Sequence, residues 1–140
     1  MFIRNIMQPE SDLKVLLTKM DPILQEDEYV FCSVSSDEFS KFRSPPICWF
    51  HEAEGITIII KKDEAEHEEL DYEFPSRMVT LNVHSSLSAV GFLAAIASKL
   101  AAHGISVNAI SAYYHDHIFV PTERIEEVMR LLSELSNYSA

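Results

Sequence analysis

Two histidines flank one aspartate in the run SAYYHDHIFVP, residues 111 to 121. Imidazole and carboxylate are common metal ligands, and the same groups serve as catalytic acids and bases. On a regular strand His115 and His117 share one face, because side chains repeat every two residues. Such a pair can chelate zinc or copper. Zinc takes three or four protein ligands, however, and His51, His67, His84 and His103 are dispersed along the chain. The run therefore reads first as a hairpin, with strands over 106–113 and 117–120. Tyr114, His115 and Asp116 form its connection, where aspartate tolerates turn geometry. No metal site is assigned; His115 and His117, completed by a second subunit, are the alternative.

Nucleophilic chemistry finds less support. The chain lacks a G-x-S-x-G elbow, a Walker loop, a G-x-G-x-x-G run and an H-E-x-x-H helix, and it holds only three glycines. Cys48 and His51 would point to opposite faces of one strand. Cys32 and Cys48, sixteen positions apart, read as small apolar residues in strands of a protein from a reducing compartment. A disulfide between them stays open, since two cysteines make no framework.

Binding chemistry is better placed in NVHSSLSAVGFLAAIASKLAAHGISVNAIS, which begins at Asn82. A strand ends, a short polar loop follows, and a helix begins. The first turn of a helix carries unpaired N–H groups and the positive end of the dipole, so a carboxylate or phosphate can dock there. Gly91, without a side chain, lets a ligand or another backbone approach. The plainer reading is that Ser85, Ser86 and Ser88 offer N-caps and that Gly91 only permits close helix packing. Both readings stand on the residues alone.

The whole chain limits what these residues can serve. Its 140 residues match one ordinary domain or two small units sharing a core, and 47% of them are hydrophobic. The formal charge of −11 argues against a nucleic-acid partner. The longest uncharged stretch, Met78 to Ser98, is too polar to span a membrane, and the start lacks a signal peptide's form. A soluble, cytoplasmic protein is expected. Between Glu52 and Glu73 lie nine carboxylates and two lysines, a solvated face rather than a calcium loop, whose spacing is absent.

Periodicity places the elements. Leu13, Leu16, Leu17 and Met20 predict a first helix capped by Ser11 or Asp12, with Pro22 just beyond it. EYVFCSVS reads as a strand with Val30, Cys32 and Val34 on one face. PICWFHEAEGITIIIKK reads as a hairpin turning at Ala53–Gly55, DEAEHEEL as a short helix, and Pro75 as the close of this half. RMVTLNVH alternates as a strand. Val90, Leu93, Ala94, Ala97, Leu100 and Ala101 predict one apolar helical stripe, ending at Gly104. The hairpin follows. Thr122 then caps a last helix with the stripe Ile125, Val128, Met129, Leu132 and Leu135. Residues 77–137 thus read β-α-β-β-α, most of a split β-α-β unit.

The stretch from Val79 to Val120 resembles the ACT domain. The matching features are the strand Val79–Val83, the loop His84–Ala89, Val90-Gly91, the helix from Phe92 to Ala102, and Gly104-Ile105-Ser106-Val107. It is similar in particular to small stand-alone tandem-ACT proteins of bacteria and to the ACT units of CASTOR-type arginine sensors. The first half, from YVFCSV through EGITIII, resembles a degenerate N-terminal ACT unit.

The resemblance implies an α+β fold of two ferredoxin-like units, 1–75 and 76–140, with helices on one face of an antiparallel sheet. It implies a regulatory protein that binds a free amino acid or similar metabolite, with no catalysis and no cofactor, in a homodimer with sites at an interface. The ligand positions it implies are His84, Ser85, Ser86, Leu87, Val90 and Gly91, with Asn108 and Ile110 on the neighbouring strand. The α-carboxylate would go to the amides from Ser86 to Gly91, and the α-amino group to Asn108. Ala89 and Val90 replace the Asp and Pro often found before the ACT glycine, so ligand identity does not transfer. A ligand-free interaction module, or a metal-binding protein using the His-Asp-His hairpin, are the rivals.

Overall fold

A computed structural model describes residues 8–139 of the chain. The helix α1, Leu13–Thr18, opens it. Then come the strand β1 (Pro22–Val34), the short helix α2 (Ser36–Ser40), the hairpin β2 (Cys48–His51) and β3 (Ile56–Lys61), and the helix α3 (Lys62–His67). The second half repeats that order with β4 (Glu73–Leu81), α4 (Phe92–Ala101), β5 (Asn108–Ser111), β6 (Asp116–Pro121), a 3-10 turn over Thr122–Arg124, and α5 (Ile125–Ser139). All six strands form one antiparallel sheet, in the order β2-β3-β1-β4-β6-β5.

The order is symmetric about the β1–β4 seam, and so is the register. Val34 ends β1 opposite Ile56, the first residue of β3. Leu81 ends β4 opposite Asp116, the first residue of β6. Within the hairpins His51 pairs with Ile56 as Ser111 pairs with Asp116. Asp116 therefore occupies the place that Ile56 holds in the first half.

One face of the sheet carries the helices. Val79, Leu81, Ile118 and Val120 pack there against Leu16, Leu17, Phe92, Ile96, Leu100, Val128, Leu131 and Leu132. Val30, Cys32, Val34, Ile56, Ile58 and Ile60 pack in the same layer with Ala65 of α3. The opposite face holds its own cluster of Tyr29, Ile59, Met78 and Phe119, with Phe31, Cys48, Phe74 and Ile110 beside it. Phe119 meets Tyr29 and Phe31 edge to face, at centroid distances of 5.8 and 5.6 Å. Such pairs add to the burial of the rings themselves.

Several expectations need correction. Gly91, at φ +92°, is the N-cap of α4 and no side chain caps it. The serines instead shape the loop before it, where Ala89 N–H donates to Ser86 O. The buried stripe of the helix is Phe92, Ile96 and Leu100, which pack in the core, while Val90, Ala94, Ala97 and Ala101 are exposed. Thr122 opens a 3-10 turn rather than capping α5, and Pro121 stands at the turn's N-cap. Asp12, not Ser11, caps α1 by accepting from Val15 N–H, and Leu13 stays exposed. Pro75 lies inside β4, at a shift in the β1–β4 register and beyond the end of β6, where a missing N–H breaks no regular ladder. Cys32 and Cys48 are both free; their partners Ile58 and Ile59 are successive residues of β3, so the two thiols lie on opposite faces.

Phe119 is 1% exposed and packs on rings from β1 across the seam. Phe119→Ala is expected to cost about 3–5 kcal/mol of stability, read as a lower urea midpoint.

Candidate ligand-binding site

The loop between β4 and α4 is built against the N-terminal segment. Glu10 N–H donates to His84 O at 2.8 Å, and Ser86 N–H donates to Glu10 O at 2.7 Å. These two bonds form a short parallel bridge between Glu10 and Ser85. A turn over Ser86–Ala89 follows, with Ser88 N–H also donating to Ser86 Oγ. Gly91 then sets the left-handed step into the helix, beside Leu13 of α1.

A cavity of about 140 Å³ opens between this loop, the first turn of α4 and the β5–β6 hairpin. Its walls include Ser85, Ser86, Leu87, Gly91, Ser111 and Asp116, with Phe92, Leu93 and Ala94 from the helix. Asp116 is 6% exposed and is the one charged side chain buried among the described residues. Ser85 Oγ donates to its Oδ2 at 2.8 Å. A buried carboxylate needs such partners, since burial without them is costly. On the facing wall the amides of the first helical turn have no side-chain cap, and the helix dipole is positive there. The cavity therefore has a negative pole at Asp116 and a positive pole at α4. Two larger hollows exist, one by Thr18 and Ser133 and one by Phe31 and Tyr72, and neither is lined by a buried charge.

The sequence-derived positions divide. Ser85, Ser86, Leu87 and Gly91 line the cavity. His84 supplies a backbone carbonyl to Glu10 and stacks obliquely on Tyr114 at 5.4 Å. Val90 stands at the loop surface, 83% exposed. Asn108 and Ile110 pair with Phe119 and His117, so they share the sheet face away from the helices and do not reach the cavity. Ser111 and Asp116 stand there instead. The hairpin register carries the signal for them: once Asp116 is a strand residue, it and Ser111 face α4.

His115 and His117 lie together, rings 6.4 Å apart, on the far side from Asp116. Among the described residues no group of three His, Cys, Asp or Glu side chains is arranged to hold a metal ion. Gln25 Nε2 donates to Thr80 Oγ1 at 3.0 Å, and Thr80 Oγ1 sits 3.0 Å from His117 Nδ1. The hydroxyl proton of Thr80 is thus free for a neutral imidazole. Burial lowers the His117 pKa from its ordinary value, the charge of His115 lowers it further, and Asp116 opposes both. Burial also raises both cysteine thiols, which weakens them as nucleophiles.

Two outcomes follow. Gly91→Ala would place a Cβ in ordinary contact with Leu13, so its cost comes from the positive φ, about 1–2 kcal/mol, measurable by urea unfolding. For His117, the unfolded chain binds the proton more readily than the folded one. Stability is full above the unfolded value near 6.5 and is lost as pH falls toward the lower folded value. His117→Gln should flatten that part of the stability–pH curve.

Comparison with known proteins agrees with this architecture. Models of the ACT domain match residues 8–77 and residues 73–134. A crystal structure of a protein of unknown function from Vibrio cholerae is 40% identical, covers 89% of this chain and 95% of its own, and superposes with a TM-score of 0.78. A protein from Agrobacterium tumefaciens superposes at 0.65 with 15% identity, over 82% of this chain and 87% of its own. The regulatory subunit of aspartate kinase from Thermus flavus superposes at 0.60 with 13% identity, over 81% and 95%. No curated protein matches the chain. With one model spanning half the chain and a second covering most of the remainder, this protein belongs to the ACT domain family.

Proposed function

We propose that the protein is a sensor of a free α-amino acid, bound in the cavity between Asp116 and the first turn of α4, and that it has no catalytic activity of its own. ACT membership supports the coarser statement, a small-molecule-binding regulatory role. The observation that carries the finer one is the pair of opposite poles in one small cavity, with Asp116 the buried charge. A zwitterion satisfies both. Its carboxylate accepts from the uncapped amides of Phe92, Leu93 and Ala94, and its ammonium donates to Asp116. Ser85 holds that carboxylate in place. Asp116 thus takes the role first given to Asn108.

Leu87 and Val90 at the cavity's loop, with Tyr113 and Tyr114 on the adjoining turn, are exposed apolar side chains. We place the homodimer interface on this face, so that a second subunit adjoins the site. The division into an N-terminal unit, 1–75, and a C-terminal unit, 76–140, gives the two units different work. The first half has one residue, Ser35, between β1 and α2, and Ser35 caps that helix itself in a capping box with Glu38. Ile56 replaces the carboxylate there. One ligand per chain is the expected stoichiometry.

The test is titration calorimetry of the purified protein against the common amino acids. One site per chain is expected, and Asp116→Asn, which keeps an acceptor for Ser85, should weaken binding by about tenfold or more, the worth of a charged hydrogen bond. Silence from every amino acid at millimolar concentrations leaves the ligand-free interaction module in its place.

A further inference from the structure

The size and charge of the cavity narrow the ligand, provided the sensor reading holds. We infer that the site takes amino acids of the glycine, alanine and serine size and excludes larger or ionised side chains. The volume is about 140 Å³, open on the side of Leu87, which the second subunit proposed above would cover. An apolar cavity of about 150 Å³ accommodates benzene. Benzene and alanine have the same number of non-hydrogen atoms, and serine has one more. The main-chain atoms common to every α-amino acid therefore use most of the space once they bridge the two poles.

The walls agree with the volume. The helix side presents Phe92, 3% exposed and fixed in the core, and the hairpin side presents Asp116 and Ser111. Among the lining residues Asp116 is the one charged group, and the ligand's ammonium engages it. A lysine or arginine side chain would find no second carboxylate, and an aspartate or glutamate side chain no cation. An arginine ligand is thus the wrong size and the wrong charge for this cavity. Ser111, paired with Asp116 in the hairpin, offers a hydroxyl to a serine side chain.

The experiment is competition calorimetry on the full chain with glycine, alanine, serine, valine, phenylalanine, aspartate and arginine. Binding by one or more of the first three, at least tenfold tighter than by any of the others, is the expected result. Ala94→Leu extends a side chain from an exposed helical position toward the cavity. It should abolish that binding while leaving the circular dichroism spectrum and the urea midpoint of the free protein in place. Tight binding of phenylalanine or arginine that still depends on Asp116 would overturn the size limit and leave the sensor reading intact. Binding of small amino acids that Ala94→Leu does not disturb would remove this cavity as their site. No binding by any amino acid would overturn both readings.

Discussion

Everything in this molecule hangs on the pairing of β1 with β4. Each half contributes three strands with their helices, and a chain of that length alone buries only a marginal core. The seam supplies what neither half has. Tyr29 and Phe31 of β1 close on Phe119 of β6 across β4. Ser76 Oγ donates to Tyr29 O, and Arg77 reaches Gln25 O. The chain Gln25–Thr80–His117 runs through β1, β4 and β6 in turn. The apolar cluster opposite the helices draws on both halves and so exists only when the seam is formed. Because the seam fixes β4, it also fixes where the loop to α4 leaves the sheet, and thereby the floor of the cavity.

Local signals in the sequence account for most elements and fail where long-range pairing or chain phase decides. The alternation of Val79, Leu81 and Val83 and the apolar run Ile56–Ile60 announced β4 and β3 without outside help. The six residues of β1 before Glu28 end in Gln25, Glu26 and Asp27 and carry no strand signal of their own, and Pro22–Leu24 are held as a strand by Val79, Thr80 and Leu81 across the seam. The face of α4 is ambiguous locally, because Leu93 and Leu100 support one stripe and Phe92, Ile96 and Leu100 another; packing in the core selects the second, and Ala94, Ala97 and Ala101 turn to solvent. The short helix α2 has no buried stripe, and its sequence signal is the capping box of Ser35 and Glu38.

The site was half legible for a related reason. Ser85, Ser86, Leu87 and Gly91 are contiguous, and a polar loop entering an apolar helix marks them. Ser111 and Asp116 arrive through the register of a hairpin, and a shift of one residue turns every side chain to the other face. The turn closes with Ala112 N–H donating to His115 O. Asp116 is therefore the first residue of β6 and faces the helices, while His115 and His117 face away. With the connection placed one residue later all three read as parts of a turn, while Asn108, which the family resemblance implies as the ammonium acceptor, lies on the other face of the sheet.

The two halves share topology and register, which makes their difference informative. At one place the first half has Ile56, 4% exposed, in a closed apolar cluster. The second half has Asp116, as deeply buried, beside a cavity. Nothing in the architecture requires the carboxylate, because the same position in the same sheet is filled by isoleucine with ordinary packing. A cavity forfeits contacts, and a buried carboxylate costs desolvation that one serine offsets only in part. The uncapped start of α4 adds a third departure, since Ser35 shows how readily the equivalent helix is capped. Three unfavourable choices converge on one small volume, where the first half sets an isoleucine and a capped helix at the matching places. Departures from local rules gather where a site is built, and the zwitterion proposed for it would answer all three: it would fill the space, neutralise the carboxylate and cap the helix.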